Sequence, residues 1–273
     1  MYTTNGSFLI SKKDLKEIYK YKDLLFFLVK RDVSAIYKQT IMGFSWAIIR
    51  AFVQMVVFTL VFAKMANLQS DMQTDVPYAV FSFIALVPWT YFSSSLVTST
   101  SSLVSNMSII TKVYFPRLII PFTPIIAKLV DFMIAFVFVF FVCFYYGIYP
   151  KWEILYLPIL VLLMMLSSLG FGLWLSAMAI QYRDVNQLMQ FGIQVLMYLA
   201  PIIWPISYVP ESLRTYYALY PLVGIVEGFR ACFLEGKLMP FDLILVGYLS
   251  SLVVLVSGLI YFRKKESFFA DVA

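Results

Sequence analysis

The chain has 273 residues, 62% of them hydrophobic and 13% charged, with a mean hydropathy of +0.85 and a formal net charge of +6. Soluble globular domains are about half apolar and a quarter charged, so this composition excludes one and predicts a polytopic membrane protein. Histidine is absent, which removes the commonest general base, proton relay and zinc ligand, and Cys143 and Cys232 offer neither a disulfide framework nor metal-ligand spacing.

The opening stretch MYTTNGSFLISKKDLKEIY lacks the apolar core and small-residue cleavage site of a secretory leader, so the first span is expected to act as the insertion signal. Residues 12–40 read as an amphipathic interfacial helix. Ile18, Leu25, Val29, Val33 and Ile36 recur at helical spacing among Lys12, Lys13, Lys16, Lys20, Lys22 and Lys30. The apolar face would lie at the acyl boundary and the lysines at anionic head groups; a solvated helix capping the bundle is the alternative.

At roughly 20 apolar residues per crossing, six spans are expected: 44–63, 78–96, 119–146, 154–180, 186–204 and 241–262. All belong to one transmembrane domain covering 1–273, with the first five inside 44–204 and a tail over 263–273. Cations gather before the first span, at Lys112 and Arg117, at Arg183, and at Arg263, Lys264 and Lys265. Asp71, Asp75, Glu153, Glu211, Glu227 and Glu235 fall in the opposite loops, which places both termini in the cytoplasm by the positive-inside rule.

Charge inside a membrane costs about 2.5–3.5 kcal/mol per group on insertion scales, so Arg50, Lys128 and Asp131 each call for a partner. They are expected to share an intramembrane ion pair, serving as an ion pathway or as a structural clamp. Gln187, Gln190, Gln194 and Tyr198 share one face of the fifth span; they line a passage or bond a neighbouring helix. Ser94, Thr98, Ser101 and Ser105 form a second stripe that could bond its own backbone. Ser168, Gly172 and Ser176 provide small contacts for close helix packing. Trp46, Phe52, Tyr91 and Phe92 could stack on sugar faces in a wet passage, or belong to interfacial belts.

Residues 205–240 are too charged and too broken by proline to cross the bilayer. Two pieces, about 210–219 and 221–234, are short enough to dip into the outer leaflet as a re-entrant helical pair, an expected external gate carrying Pro210, Tyr216, Tyr217, Tyr220, Pro221, Glu227 and Arg230. An amphipathic hairpin lying flat at the interface is the other reading. No G-x-x-x-x-G-K-[ST] occurs, since Gly236 and Lys237 are followed by Leu238, so the chain is not expected to hydrolyse ATP or to be an enzyme.

KRDVSAIYKQTIMGFSWAI, LVPWTYFSSSL, SNMSIITKVYFPRLIIP, AIQYRDV and YPLVGIVEGFR occur in the order seen in one family. The chain resembles the membrane permease of the polysaccharide-exporting branch of type-2 ABC transporters. Tyr220, where a small polar residue is usual, and Arg50, in place of an uncharged one, depart from that pattern. The resemblance implies an all-α integral membrane fold of six helices per subunit, with the interfacial helix, a cytoplasmic coupling helix and the re-entrant pair.

It also implies that Asn106, Ile109, Ile110, Lys112, Tyr114, Phe115, Pro116 and Arg117 form the coupling helix, with Arg183 and Asp184 facing the same ATPase. Apolar anchors on a short element, oriented by two cations and stopped by proline, suit that role. The implied partners are a second copy, two nucleotide-binding subunits that carry the ATP and magnesium, a lipid-linked polysaccharide such as O-antigen, and membrane lipids. No cofactor, metal or nucleic acid is expected on this chain, and the implied location is a bacterial inner membrane. An ion-gradient-driven secondary transporter or channel, coupled through Arg50, Lys128 and Asp131, is the competing expectation.

Overall fold

The computed structural model describes residues 19–38, 43, 45–65 and 76–266, with 63–65 described by backbone alone. Residues 12–18 of the expected interfacial helix, 39–42, Phe44, Asp71, Asp75 and the tail from 267 lie outside the described residues. Every described secondary-structure element is helical. Helix α1 (Lys22–Tyr37) buries Leu28 against the bundle and leaves Phe26 and Phe27 exposed. Helix α2 (Ser45–Phe58) continues into a wider π turn over Thr59–Met65. Then come α3 (Tyr78–Ser105), the short α4 (Met107–Ile110) and α5 (Ile119–Tyr145). After a 3-10 turn at Trp152–Tyr156 follow α6 (Leu157–Gln181), α7 (Val185–Leu199), α8 (Glu211–Tyr217), α9 (Pro221–Phe233) and α10 (Phe241–Glu266).

Among the described residues, five helical stretches are long and apolar enough to cross a bilayer: Ser45–Phe62, Tyr78–Ser105, Ile119–Tyr145, Trp152–Gln181 and Phe241–Glu266. The expected span over 186–204 is not one continuous helix. Its helix α7 has 15 residues, about 22 Å at 1.5 Å per residue, against a hydrocarbon core of about 30 Å. Pro201 ends it, because proline has no N–H to continue the helical ladder and biases Ala200 toward the extended backbone it adopts, φ −82° and ψ 147°.

Helix α3 is the hub, packing against α2, α5, α6, α7 and α9. Its serines and threonines bury because they bond their own helix: Ser95 donates to the Phe92 carbonyl at 3.0 Å and Thr100 to that of Leu96 at 2.8 Å. The stripe of Ser94, Thr98 and Ser101 does the same, through the carbonyls of Tyr91, Ser94 and Val97, so those hydroxyls need no partner from outside.

Helices α6 and α10 meet backbone to backbone. A Cβ on Gly258 would lie 2.6 Å from the Gly170 carbonyl oxygen, closer than any methyl group can sit. The Ser167 and Ser251 hydroxyls, 2.8 Å apart, and the stacked rings of Trp174 and Tyr261 continue that seam. Gly172, expected as a packing residue, does pack closely, against Ser99 of α3.

A main apolar core runs between α3, α5, α6 and α9. A second cluster closes the basic end of the bundle, where Leu28 of α1, Phe115, Ile119 and Phe262 of α10 meet.

Candidate functional site

The elbow from Asn106 to Arg117 is built on a single turn of helix, α4, followed by an irregular stretch up to Pro116. Three elements hold it. The Arg31 guanidinium of α1 donates to Asn106 Oδ1 at 2.9 Å, Asn106 Nδ2 donates back to the Ser102 carbonyl at 2.9 Å, and Arg117 donates to the Glu266 carbonyl at the end of α10. The expected row of apolar anchors splits in two. Ile110 and Phe115 are buried in the chain's own second core, whereas Lys112, Val113 and Tyr114 point out, Tyr114 at 91% exposure against 5% for Phe115. Ile110 and Phe115 are therefore corrected from partner-facing anchors to internal ones, since their area is already removed from water by Leu28, Leu103 and Leu259. Arg183 and Asp184 sit exposed in the turn between α6 and α7, at the same basic end.

At membrane depth the expected three-charge cluster is a pair plus a phenol. Lys128 Nζ lies 3.1 Å from Asp131 Oδ2, and the Tyr37 hydroxyl donates to Asp131 Oδ1. Arg50 is exposed, lines a small cavity with Tyr37 and Asp131, and makes no ion pair among the described residues. Tyr37 stands where Arg50 was expected. With both carboxylate oxygens engaged, the pair has the geometry of a clamp.

The four aromatics expected at a passage separate as well. Trp46 and Phe52 are exposed on α2, but Tyr91 and Phe92 are buried to 2% and 1%. Tyr91 donates to the Ile125 carbonyl at 3.0 Å and Phe92 packs edge-on against Phe171, so both are corrected to packing residues of the subunit core. Gln187, Gln190, Gln194 and Tyr198 are all exposed along one face of α7, with no hydrogen-bond partner among the described residues.

At the acidic end, α8 has no buried residue, whereas all 13 residues of α9 are buried. Pro210, Glu211 and Tyr216 are exposed, while Pro221, Glu227 and Arg230 are enclosed. A flat interfacial hairpin does not describe this: α9 is wedged between α10, α3 and α6. A Cβ on Gly224 would stand 2.8 Å from the Leu243 carbonyl oxygen.

Arg230, fully buried, reaches back to the break after α7. It donates to the carbonyls of Pro201 at 2.5 Å and Ile202 at 2.9 Å and to Glu227 Oε1 at 2.7 Å, with its guanidinium carbon 3.5 Å from the Phe81 ring centre. Lys237 Nζ holds the other Glu227 oxygen at 2.8 Å. Tyr78 donates to the Ile203 carbonyl and Tyr217 to that of Leu199, so carbonyls around the helix break are met by side chains, and Tyr220 adds a second donor to the Leu196 carbonyl, which also accepts the Ala200 N–H.

Burial alone would raise the Glu227 carboxyl, but the charges of Arg230 and Lys237 outweigh it and hold it below the ordinary value. A lowered carboxylate contributes stability above its unfolded pKa, about 4.3, and loses it only as pH falls through the still lower folded value; the lock is intact at neutral pH. Cys143 and Cys232 are free and buried, and burial pushes the Cys232 thiol up to about 12.

Sequence reasoning missed Tyr37, Tyr78, Phe81 and Lys237. Only Glu227 and Arg230, three apart in a helix, carried a local signal for the lock; Lys237 comes from the turn after α9, and Phe81 and the carbonyls of Pro201 and Ile202 from distant segments. Among the described residues no group of three or more His, Cys, Asp or Glu side chains could hold a metal ion.

Residues 23–234 match the family described as ABC-2 type transporter. Over 94% of this chain and 98% of the relative, the sequence is 26% identical to the O-antigen export system permease protein RfbA of Myxococcus xanthus. It is 25% identical to an O-antigen export system permease protein RfbA of Klebsiella pneumoniae, over 92% of this chain and 95% of that one.

Proposed function

The chain belongs to the ABC-2 type transporter family, and from that premise we propose that it is the permease subunit of an ATP-driven exporter of lipid-linked polysaccharide, with O-antigen as the cargo class. It is a membrane permease and not an enzyme; in this reading ATP and magnesium belong to two separate nucleotide-binding subunits. Two copies of the permease assemble around a passage in a bacterial inner membrane, with the basic end and both termini in the cytoplasm. The stretch 200–204 completes a sixth crossing that begins in α7.

The observation that carries the reading is the exposed amide and phenol stripe of α7. Gln187, Gln190, Gln194 and Tyr198 lie at membrane depth without a hydrogen-bond partner among the described residues, and water or a sugar chain facing a second copy would satisfy them. Trp46 and Phe52 on α2, exposed likewise, add flat apolar faces on which sugar rings can stack. Weak, repeated contacts of this kind suit a polymer that must bind and still slide. Closure of the ATPases would act on Tyr114 and Lys112 at the elbow, and the α8 and α9 pair would close the outer mouth. An ion-gradient mechanism finds less support, because Asp131 is already held by Lys128 and Tyr37.

Reconstitution of the permease with its ATPase tests the proposal. Tyr114→Ala should leave stability within about 0.5 kcal/mol of wild type, as expected of an exposed side chain, and uncouple ATP hydrolysis from export. Phe115→Ala should instead destabilise the chain by about 3 kcal/mol through a core cavity. Normal coupling in the Tyr114 variant would remove the elbow from the mechanism.

A further inference from the structure

Between α1, the end of α3 and the first turns of α5 lies a cleft of about 440 Å³. That is large enough for a small ligand, whose sites span about 300–1,000 Å³. A shallower groove on α1 meets it at Arg31 and Ala35. The two linings together carry four cations, Lys30, Arg31, Lys38 and Lys128, and one carboxylate, Asp32. Neither includes a residue of the α7 stripe or of the Arg230 lock.

The polar atoms divide by type. Arg31 gives Nε to Asp32 at 2.9 Å and Nη2 to Asp32 and Asn106 at 2.8 and 2.9 Å, which leaves Nη1 without a partner among the described residues. Lys128 Nζ gives one N–H to Asp131 at 3.1 Å and keeps two more. Thr98 and Ser101 donate their hydroxyl protons to their own helix, so only their oxygen lone pairs face the cleft. Charged donors thus share one space with two hydroxyl acceptors and the Asp32 carboxylate, the complement of an anion that also carries hydroxyls.

We propose that this cleft binds the glycerophosphate headgroup of an anionic phospholipid. Arg31 and Lys128 hold the phosphate, and Thr98, Ser101 and Asp32 accept hydrogen bonds from the glycerol hydroxyls. A lipid is the source rather than a soluble anion because Phe27, which lines the α1 groove and is 62% exposed, presents apolar surface to acyl chains. The inference goes beyond the transport reading and needs only that the bundle sits in a bilayer. A bound lipid there would also steady the Arg31 to Asn106 contact that supports the elbow.

Native mass spectrometry of the detergent-purified permease–ATPase complex, titrated with phosphatidylglycerol or with phosphatidylmethanol, tests this. The two lipids carry the same charge, but only the first has headgroup hydroxyls. Wild type should prefer phosphatidylglycerol by about fivefold, the worth of a net hydrogen bond. Thr98→Val with Ser101→Ala should abolish the preference without removing charge. Arg31→Gln should weaken both lipids by about tenfold, in keeping with a lost charge-assisted bond. Equal binding of the two lipids to wild type, an unaltered Arg31→Gln variant, or displacement of the lipid by millimolar inorganic phosphate would each overturn the proposal.

Discussion

Helices α7 and α9, separated in sequence by the short α8, are similar in length at 15 and 13 residues and both amphipathic by pattern, yet the fold treats them in opposite ways. In α9 every residue is buried and its two charges, Glu227 and Arg230, are matched to each other, to Lys237 and to backbone carbonyls. In α7 only Val185 and Met189 are buried, and four exposed polar side chains have no hydrogen-bond partner among the described residues. Strong charge, which looked like the mark of a working site, is therefore the fastening, and the uncharged amides are what remains free to work. A buried ion pair left with one partner missing is costly, whereas an exposed amide is cheap to leave and easy to satisfy by a passing ligand.

The comparison can be broken most forcefully at Arg230. Arg230→Met keeps the volume but leaves Glu227 with Lys237 alone and strips the carbonyls of Pro201 and Ile202 of their donor; a loss of about 3–5 kcal/mol is expected in denaturant or thermal unfolding. A near-neutral result would mean that the lock is not structural. Gly224→Ala probes the same wedge more gently: its methyl meets the Leu243 carbonyl and the Ile244 Cα, both backbone, so about 1–3 kcal/mol should be lost in the same assay. On α7 the sign should turn. Gly192 has nothing within 4 Å of an added Cβ, so Gly192→Ala should be neutral or stabilising by up to about 1 kcal/mol through helix propensity. A marked loss there would reveal a tight contact that a single subunit lacks.

Much of this architecture was legible in the sequence, and the reason is periodicity. Runs of apolar residues gave the long helices, and Pro210 and Pro221 marked the starts of α8 and α9 to within one residue. Composition could not say where α7 would stop. Residues 186–204 are apolar enough for a crossing, but Pro201 sits inside them and breaks the ladder, and the cost is met by Arg230, Tyr78 and Tyr217, which lie far away in sequence or across a turn.

Helical spacing likewise told which residues share a face and not what that face meets. Gln190 and Gln194 share an exposed face of α7, as their spacing implies, whereas Tyr91 and Phe92, equally suited to stacking on sugar, are enclosed by α5 and α6. Tyr114 and Phe115 are adjacent letters with opposite fates, because one turn of irregular chain aims the first outward and the second at Leu28, Leu103 and Leu259.

The most direct measurement is glycan export by the reconstituted complex carrying Gln190→Leu together with Gln194→Leu. If α7 walls the passage, the variant should fold as stably as wild type and still hydrolyse ATP, yet lose most of its export. Export at the wild-type rate from a stripe made wholly apolar at those positions would contradict the account.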